Sequence, residues 1–254
     1  MQAATSALTG KPSSTVTGYE FCADYRVHIK HTDGATSKLP YFTLPAAELS
    51  EGVIAPSCLA CFDYTNAVAD LVVGYMGVPP EETTPMEQHT QYLTVRNARG
   101  REMLDSLRAA GGISTTPTSS TGDRRPIVLE TVLTDDAAAL GRAKPPAPAW
   151  VCEVLATALT AVGPRGLEFA RFSIEYHAIR NYIFTKRTMG AAQAEAHVPP
   201  YARAMVADYD ARGEVSRRIA LKPGDPEPAP PLEPAAIGAA VLAALALAAL
   251  LLQH

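Results

Sequence analysis

APSCLACFDYTNAVADLVVGYMGV, residues 55–78, places Cys58 and Cys61 with two residues between them just ahead of an uncharged run from Leu71 to Val78. The Ala-Pro start and the Asp-Tyr-Thr-Asn exit make the cysteine pair a turn. The continuous apolar run that follows reads as a buried strand, in which Gly74 and Gly77 let another group approach the backbone closely. A second strand over Tyr92–Val95 turns through Asn97 to Gly100 into a helix carrying Met103, Leu104 and Leu107. Strand, turn and helix in this order make the region an α/β or α+β layer.

Upstream, from Tyr19, apolar Phe21, Tyr25, Val27 and Ile29 alternate with polar Asp24, Arg26, His28 and Lys30, and the pattern breaks at Asp33-Gly34. That is the signature of a β-hairpin, with Cys22 expected on its first strand as a packed thiol. Downstream, residues 111–148 shift to Gly, Ser, Thr and Pro around an acidic helical piece at Asp135 and Asp136, and read as a long surface connection. Two helices follow, AWVCEVLATALTAVG and LEFARFSIEYHAIRNYIFTKRT. In the second, Phe169, Phe172, Tyr176, Ile179 and Ile183 recur on one side and form a packing stripe.

The expected organisation is a 1–18 stub, disordered or truncated, a 19–110 α/β (α+β) cluster-binding domain, a 111–148 connection and a 149–222 helical region. A 223–234 Pro-rich linker and a 235–252 hydrophobic tail complete it. The stub is rich in Ser, Thr and Ala and has no acidic residue before Glu20, the composition of a transit peptide or of a loose terminus. The tail holds nine alanines and eight Leu, Ile and Val residues. At about 27 Å it just reaches the hydrocarbon thickness, so it is a candidate transmembrane anchor or an Ala-rich docking helix.

With 254 residues, 47% of them hydrophobic, the chain has material for one sizeable core. A net charge of −4 without a basic run argues against nucleic acid as a partner. Four cysteines, Cys22, Cys58, Cys61 and Cys152, are too few and too unevenly spaced for a disulfide framework. A lone CxxC supports half of a zinc site, a redox dithiol, half of an iron-sulfur site or two structural thiols. A [4Fe-4S] cluster takes four thiolates, of which this turn supplies two.

SCLACFDYTNAVADLVVGYMGVP, followed by QYLTVRNARGREML, resembles the C-terminal domain of the beta-subunit family of coenzyme F-420 hydrogenases and dehydrogenases. Within it, GYEFCADYRVHIKH, LPYFTLPA, TGDRRPIVLETV, DDAAALG, VGPRGLEFARFSIEYHAIRNYIF and HVPPYA are similar to the plant and cyanobacterial branch that acts on chlorophyll pigments. That pattern covers about Tyr19 to Arg218. The resemblance implies an iron-sulfur flavoprotein oxidoreductase of the chloroplast, in the stroma or at the thylakoid or envelope membrane. It implies [4Fe-4S] and FAD as cofactors, ferredoxin as electron donor and a chlorophyll-type pigment as substrate, reduced at a 7-hydroxymethyl or at a vinyl group. A non-catalytic pigment- or partner-binding relative and a homo-oligomer are the accompanying alternatives. Cys58 and Cys61 become expected cluster ligands, and Asn66, Asp70, Gly74 and Gly77 border the expected cofactor site. Catalytic residues are unassigned; His89, His177 and His197 are candidate proton donors by residue type. Arg124 and Arg125 read as a solvated pair or as a contact for an acidic partner. Family members carry a long N-terminal half with further cysteines and much of the flavin site, so this chain is expected to be the C-terminal part of the working enzyme.

Overall fold

The computed structural model describes residues 2–45, 54–64, 66–74, 78, 84, 88–118, 120–226 and 228. Helix α1 (Gln2–Thr9) precedes three strands, β1 (Val16–Phe21), β2 (Arg26–His31) and β3 (Thr36–Pro40), which form an antiparallel sheet in the order β1-β2-β3. Ordered structure thus begins within the expected stub, since β1 starts at Val16. The β2–β3 hairpin turns at Asp33-Gly34 as the alternation predicts. Asp33 Oδ1 accepts from the Ala35 N–H at 3.0 Å, and Gly34 takes φ +79°. Val27 and Ile29 face inward and are buried.

The strand in front of β2 ends at Phe21, so Cys22 lies in a tight turn rather than on a hairpin strand. Tyr25 adopts φ +59° there, a costly conformation for a non-glycine residue. Its ring is buried against Ala156 and Phe169, and apolar burial holds the turn in shape.

A second sheet pairs β4 (Leu71–Gly74) with β5 (Tyr92–Val95). The expectation of a buried strand is corrected here for Leu71–Gly74: β4 is half-exposed, with Val73 60% accessible. A two-stranded antiparallel ribbon buries one face at most, and its apolar run therefore does not imply cover on both faces. Helix α3 (Ala98–Ala109) follows, capped by Asn97, whose Oδ1 accepts from the Gly100 N–H at 3.0 Å. Of its expected core residues only Leu104 is buried; Met103 and Leu107 are exposed. The one-turn helix α2 (Pro56–Leu59) carries the start of the cysteine turn.

The C-terminal part is helical. It contains α4 (Arg125–Ala139), α5 (Ala149–Val162), α6 (Leu167–Met189), α7 (Ala191–His197), α8 (Pro200–Tyr209) and α9 (Glu214–Ile219). Two short strands, β6 (Ser120–Thr121) and β7 (Arg165–Gly166), pair ahead of α6. Helix α6 is the axis of the core: Ile179 and Ile183 pack with Val128, Val132, Val206, Tyr209 and Val215. The expected aromatic stripe is present, with Phe172 and Tyr176 partly buried beside them.

Helix α4 corrects the reading of 111–148 as a surface connection. Val128 and Val132 are fully buried, and Asp136 lies one further turn along the same face. Asp136 is neutralised there by Arg187 at 2.8 Å, with Arg218 at 3.6 Å. A charged residue on the buried face hid the amphipathic pattern. Arg124 and Arg125 are likewise not a free solvated pair. Arg124 bonds Glu168 and Glu175 at 2.7 and 2.8 Å, and Arg125 bonds Asp208 at 2.7 Å and lies over the Tyr209 ring.

Among the described residues no helix is long and apolar enough to cross a membrane. The expected tail, 235–252, and Gly77 lie outside the described residues.

Candidate functional site

Pro56 at the first position of α2 presets its backbone, and the helix stops after one turn at Ala60. The chain then runs through Cys61, Phe62 and Asp63, and carbonyl oxygens along the turn are taken by side chains of the helical region. The Asn181 amide donates from Nδ2 to the Cys58 and Cys61 oxygens at 3.1 and 2.5 Å. His197 donates from Nε2 to the Ala60 oxygen at 2.7 Å, and the Tyr201 hydroxyl donates to the Phe62 oxygen. Phe62 packs on Ala178, Val198 and Ala202. The turn is pinned by its carbonyls to α6, α7 and α8, and both cysteines are left unbridged and exposed.

Two hydrogen bonds shape the turn around Cys61 and Asp63. The Asp63 N–H donates to Cys61 Sγ at 3.4 Å, the kind of bond that supports a metal-bound thiolate. Asp63 itself is turned away by accepting from the Ala67 N–H at 2.6 Å. Behind the turn, Asn181 is buried and its Oδ1 accepts from Arg180 Nε at 3.0 Å, while Arg180 Nη1 reaches the Tyr176 hydroxyl at 3.1 Å. Tyr176 donates in turn to Asp135. The chain of donors fixes which way the Asn181 amide faces.

The histidines are committed elsewhere. A carbonyl only accepts, so the hydrogen lies on Nδ1 in His177, toward the Ser173 oxygen at 2.6 Å, and on Nε2 in His197. Burial, with the Arg180 charge, pushes the His177 pKa down to about 4, so its imidazole is neutral at neutral pH. Its ring stacks on Tyr64 at 4.1 Å between centroids. His89 is buried, with Nδ1 on the Thr90 oxygen at 2.8 Å.

The residues beyond the turn have local duties. Asn66 takes φ +50° and its carbonyl accepts from the Ala69 N–H at 3.0 Å. Asp70 Oδ1 accepts from Asn97 Nδ2 at 2.5 Å and meets Arg99 at 3.1 Å, tying β4 to the start of α3. Gly74 is not a close-approach glycine in this structure, because a Cβ there would meet nothing within 4 Å. Close packing does demand a glycine at Gly100, where a Cβ would lie 2.1 Å from the Asp70 oxygen.

Asn181, His197, Tyr201 and Tyr64 were not singled out by sequence as partners of the turn. The only signal for Asn181 was a polar residue two positions from Ile179 and from Ile183. Cys22 is buried as a packed thiol, and Asp24 and His28 place their ligand atoms within 4.8 Å of its sulfur and of each other. Cys152 is buried in α5 and directs its thiol to the Ala147 oxygen. The exposed pair therefore fits as two ligands of a four-thiolate cluster, and the two buried cysteines have other surroundings.

Residues 2–121 match the family model for the C terminus of the beta subunit of coenzyme F420 hydrogenase/dehydrogenase. The chain is 54% identical over 206 residues to a rice (Oryza sativa subsp. japonica) protein named 7-hydroxymethyl chlorophyll a reductase, chloroplastic; the match covers 81% of this chain and 43% of that protein. It is 41% identical over 201 residues to an uncharacterized protein of Nostoc sp., covering 79% of this chain and 46% of that one. The chain thus spans less than half the length of the curated relatives it matches.

Proposed function

We propose that the chain, whose residues 2–121 match the model for the C terminus of the coenzyme F420 hydrogenase/dehydrogenase beta subunit, is the C-terminal part of an iron-sulfur flavoprotein reductase of chlorophyll metabolism. Its reaction is the ferredoxin-driven reduction of 7-hydroxymethyl chlorophyll a to chlorophyll a in the chloroplast. The 54% identity to the rice protein favours this pigment over a divinyl one. The observation that carries the cofactor assignment is the exposed Cys58/Cys61 turn, anchored through its carbonyls by Asn181, His197 and Tyr201.

Cys58 and Cys61 would hold one edge of a [4Fe-4S] cluster. Bound together with a flavin, such a cluster supplies the passage from single-electron delivery by ferredoxin to two-electron reduction of the pigment. The protein's own contribution is orientation. Asn181 fixes the carbonyls flanking both thiols, and the Asp63 N–H donates to Cys61 Sγ. Neither His177 nor His197 is placed to give a proton to a departing hydroxyl, since each holds its hydrogen on a backbone carbonyl. Asn66 and Asp70 are held by local hydrogen bonds, and the space beside Gly74 is open to the approach of a cofactor. Much of the flavin cradle is assigned to other parts of the full-length protein.

A chimera tests this reading: the matched segment of the rice protein is replaced by this chain, loaded anaerobically, and supplied with reduced ferredoxin and 7-hydroxymethyl chlorophyll a. Chlorophyll a should form, and Cys58→Ser with Cys61→Ser should abolish it. A folded, cofactor-loaded chimera that leaves the pigment unchanged would rule the assignment out.

A further inference from the structure

We propose that Cys22, Asp24 and His28 form a second, mononuclear metal site that takes a divalent cation of zinc type, independent of the Cys58/Cys61 turn. Their ligand atoms lie within 4.8 Å of one another, and Cys22 and Asp24 are 4% and 6% exposed. One thiol, one carboxylate and one imidazole are a borderline donor set that suits zinc; magnesium and calcium take oxygen ligands instead.

The backbone that carries the donors is anchored on every side. The Cys22 N–H donates to the Arg26 oxygen at 3.0 Å, and the Cys22 oxygen accepts from the Tyr25 N–H at 3.2 Å and from the Tyr41 hydroxyl. The Asp24 oxygen accepts from Thr160 Oγ1 at 3.0 Å and from Arg26 Nη1 at 3.1 Å, and Asp24 Oδ1 accepts from the Arg26 N–H at 3.1 Å. The turn is closed by the left-handed conformation of Tyr25, a strained position of the kind that clusters at ligand sites. Asp24 Oδ2 remains for a ligand and meets His28 Nε2 at 2.7 Å.

Little movement separates this arrangement from coordination. A tetrahedral ion at about 2.0 to 2.2 Å from nitrogen and oxygen and about 2.3 Å from sulfur sets its ligands roughly 3.3 to 3.6 Å apart. The Asp24–His28 contact would open by about half an ångström and the thiol would close by up to about 1.5 Å, both within reach of side-chain rotation. On binding, the thiol proton of Cys22 leaves to solvent, and His28 carries its hydrogen on Nδ1 so that Nε2 is left to the ion. The thiolate and the Asp24 carboxylate then balance the two positive charges of the ion. Three protein ligands leave the fourth position to water.

The test uses Co²⁺ as the probe, titrated into the full chain carrying Cys58→Ser and Cys61→Ser so that the other thiol pair is silent. One equivalent should bind with a thiolate-to-cobalt band and intense visible d–d absorption, and Zn²⁺ should displace it. Adding Cys22→Ser should remove the sulfur band, and Asp24→Asn or His28→Gln should each weaken binding at least about tenfold. Cys152→Ser should change nothing. If the background variant fails to fold, the wild-type chain should bind one equivalent more than Cys22→Ser. Absence of the band, or its persistence in a folded Cys22→Ser variant, would show that the three residues are only a hydrogen-bonded Asp–His pair beside a packed thiol.

Discussion

Asn181 lies across the cysteine turn, and its side-chain amide donates to the Cys61 carbonyl at 2.5 Å while reaching the Cys58 carbonyl at 3.1 Å. A single buried side chain on α6 thereby fixes both cysteines of a turn more than 100 residues earlier in sequence.

Replacing it should loosen the turn. Asn181→Leu removes the side-chain donor to both carbonyls and the acceptor of Arg180 Nε. The expected loss is about 2–4 kcal/mol, since each buried unsatisfied group costs about 1–3. Denaturant unfolding checks the stability, and alkylation of Cys58 and Cys61 should become faster in the folded state.

His177 should make stability fall in mild acid. Its pKa is 6.5 in an ordinary setting and about 4 here, so between these values the unfolded chain binds a proton that the folded chain does not. The contribution is complete above pH 6.5 and is lost as pH falls toward 4, by on the order of 3 kcal/mol. His177→Phe, which keeps an aromatic ring against Tyr64, should remove that slope from a pH series of unfolding curves.

Two glycines should behave in opposite ways. Gly100→Ala drives a Cβ into the Asp70 carbonyl at 2.1 Å and should cost about 2 kcal/mol or more by parting β4 from α3. Gly74→Ala meets nothing within 4 Å and should change stability by no more than about 0.5 kcal/mol. Thermal unfolding of the pair separates the glycine required by packing from the one the sequence pattern favoured.

Helix α4 should prove part of the core. Val128→Ala empties space beside Ile179 and Ile183 and should cost about 2 kcal/mol, whereas Met103→Ala on exposed α3 should be near neutral. Equal effects of the two substitutions in denaturant melts would contradict the assignment.

Much of the fold could be read directly. Alternation predicted β2 and the turn at Asp33-Gly34, and helical spacing predicted α5, α6 and the face of α6 that packs. What escaped was tertiary compensation. The acidic residue on the inner face of α4 looked solvated because its partners, Arg187 and Arg218, are far away in sequence. Apolar β4 looked buried because composition does not reveal that, among the described residues, it pairs with β5 alone. At the site, the spacing of Cys58 and Cys61 was visible at once. The groups that hold the turn, Asn181, His197 and Tyr201, were not, because they bind backbone oxygens, and backbone oxygens leave no residue pattern. Cys22 was misplaced for a related reason: the turn that brings it to Asp24 depends on a left-handed tyrosine, which sequence rules do not anticipate.

The most direct test of the cluster assignment is the iron and sulfide content, after anaerobic reconstitution, of the chimera in which this chain replaces the matched segment of the rice protein, measured with the wild-type segment, with Cys58→Ser and Cys61→Ser, and with Cys152→Ser. Bound iron and sulfide with broad visible absorption should appear with the wild-type segment and with Cys152→Ser and fall in the double variant. Iron undiminished without Cys58 and Cys61, or no iron in the folded chimera with the wild-type segment, would contradict the assignment of the turn as a cluster ligand.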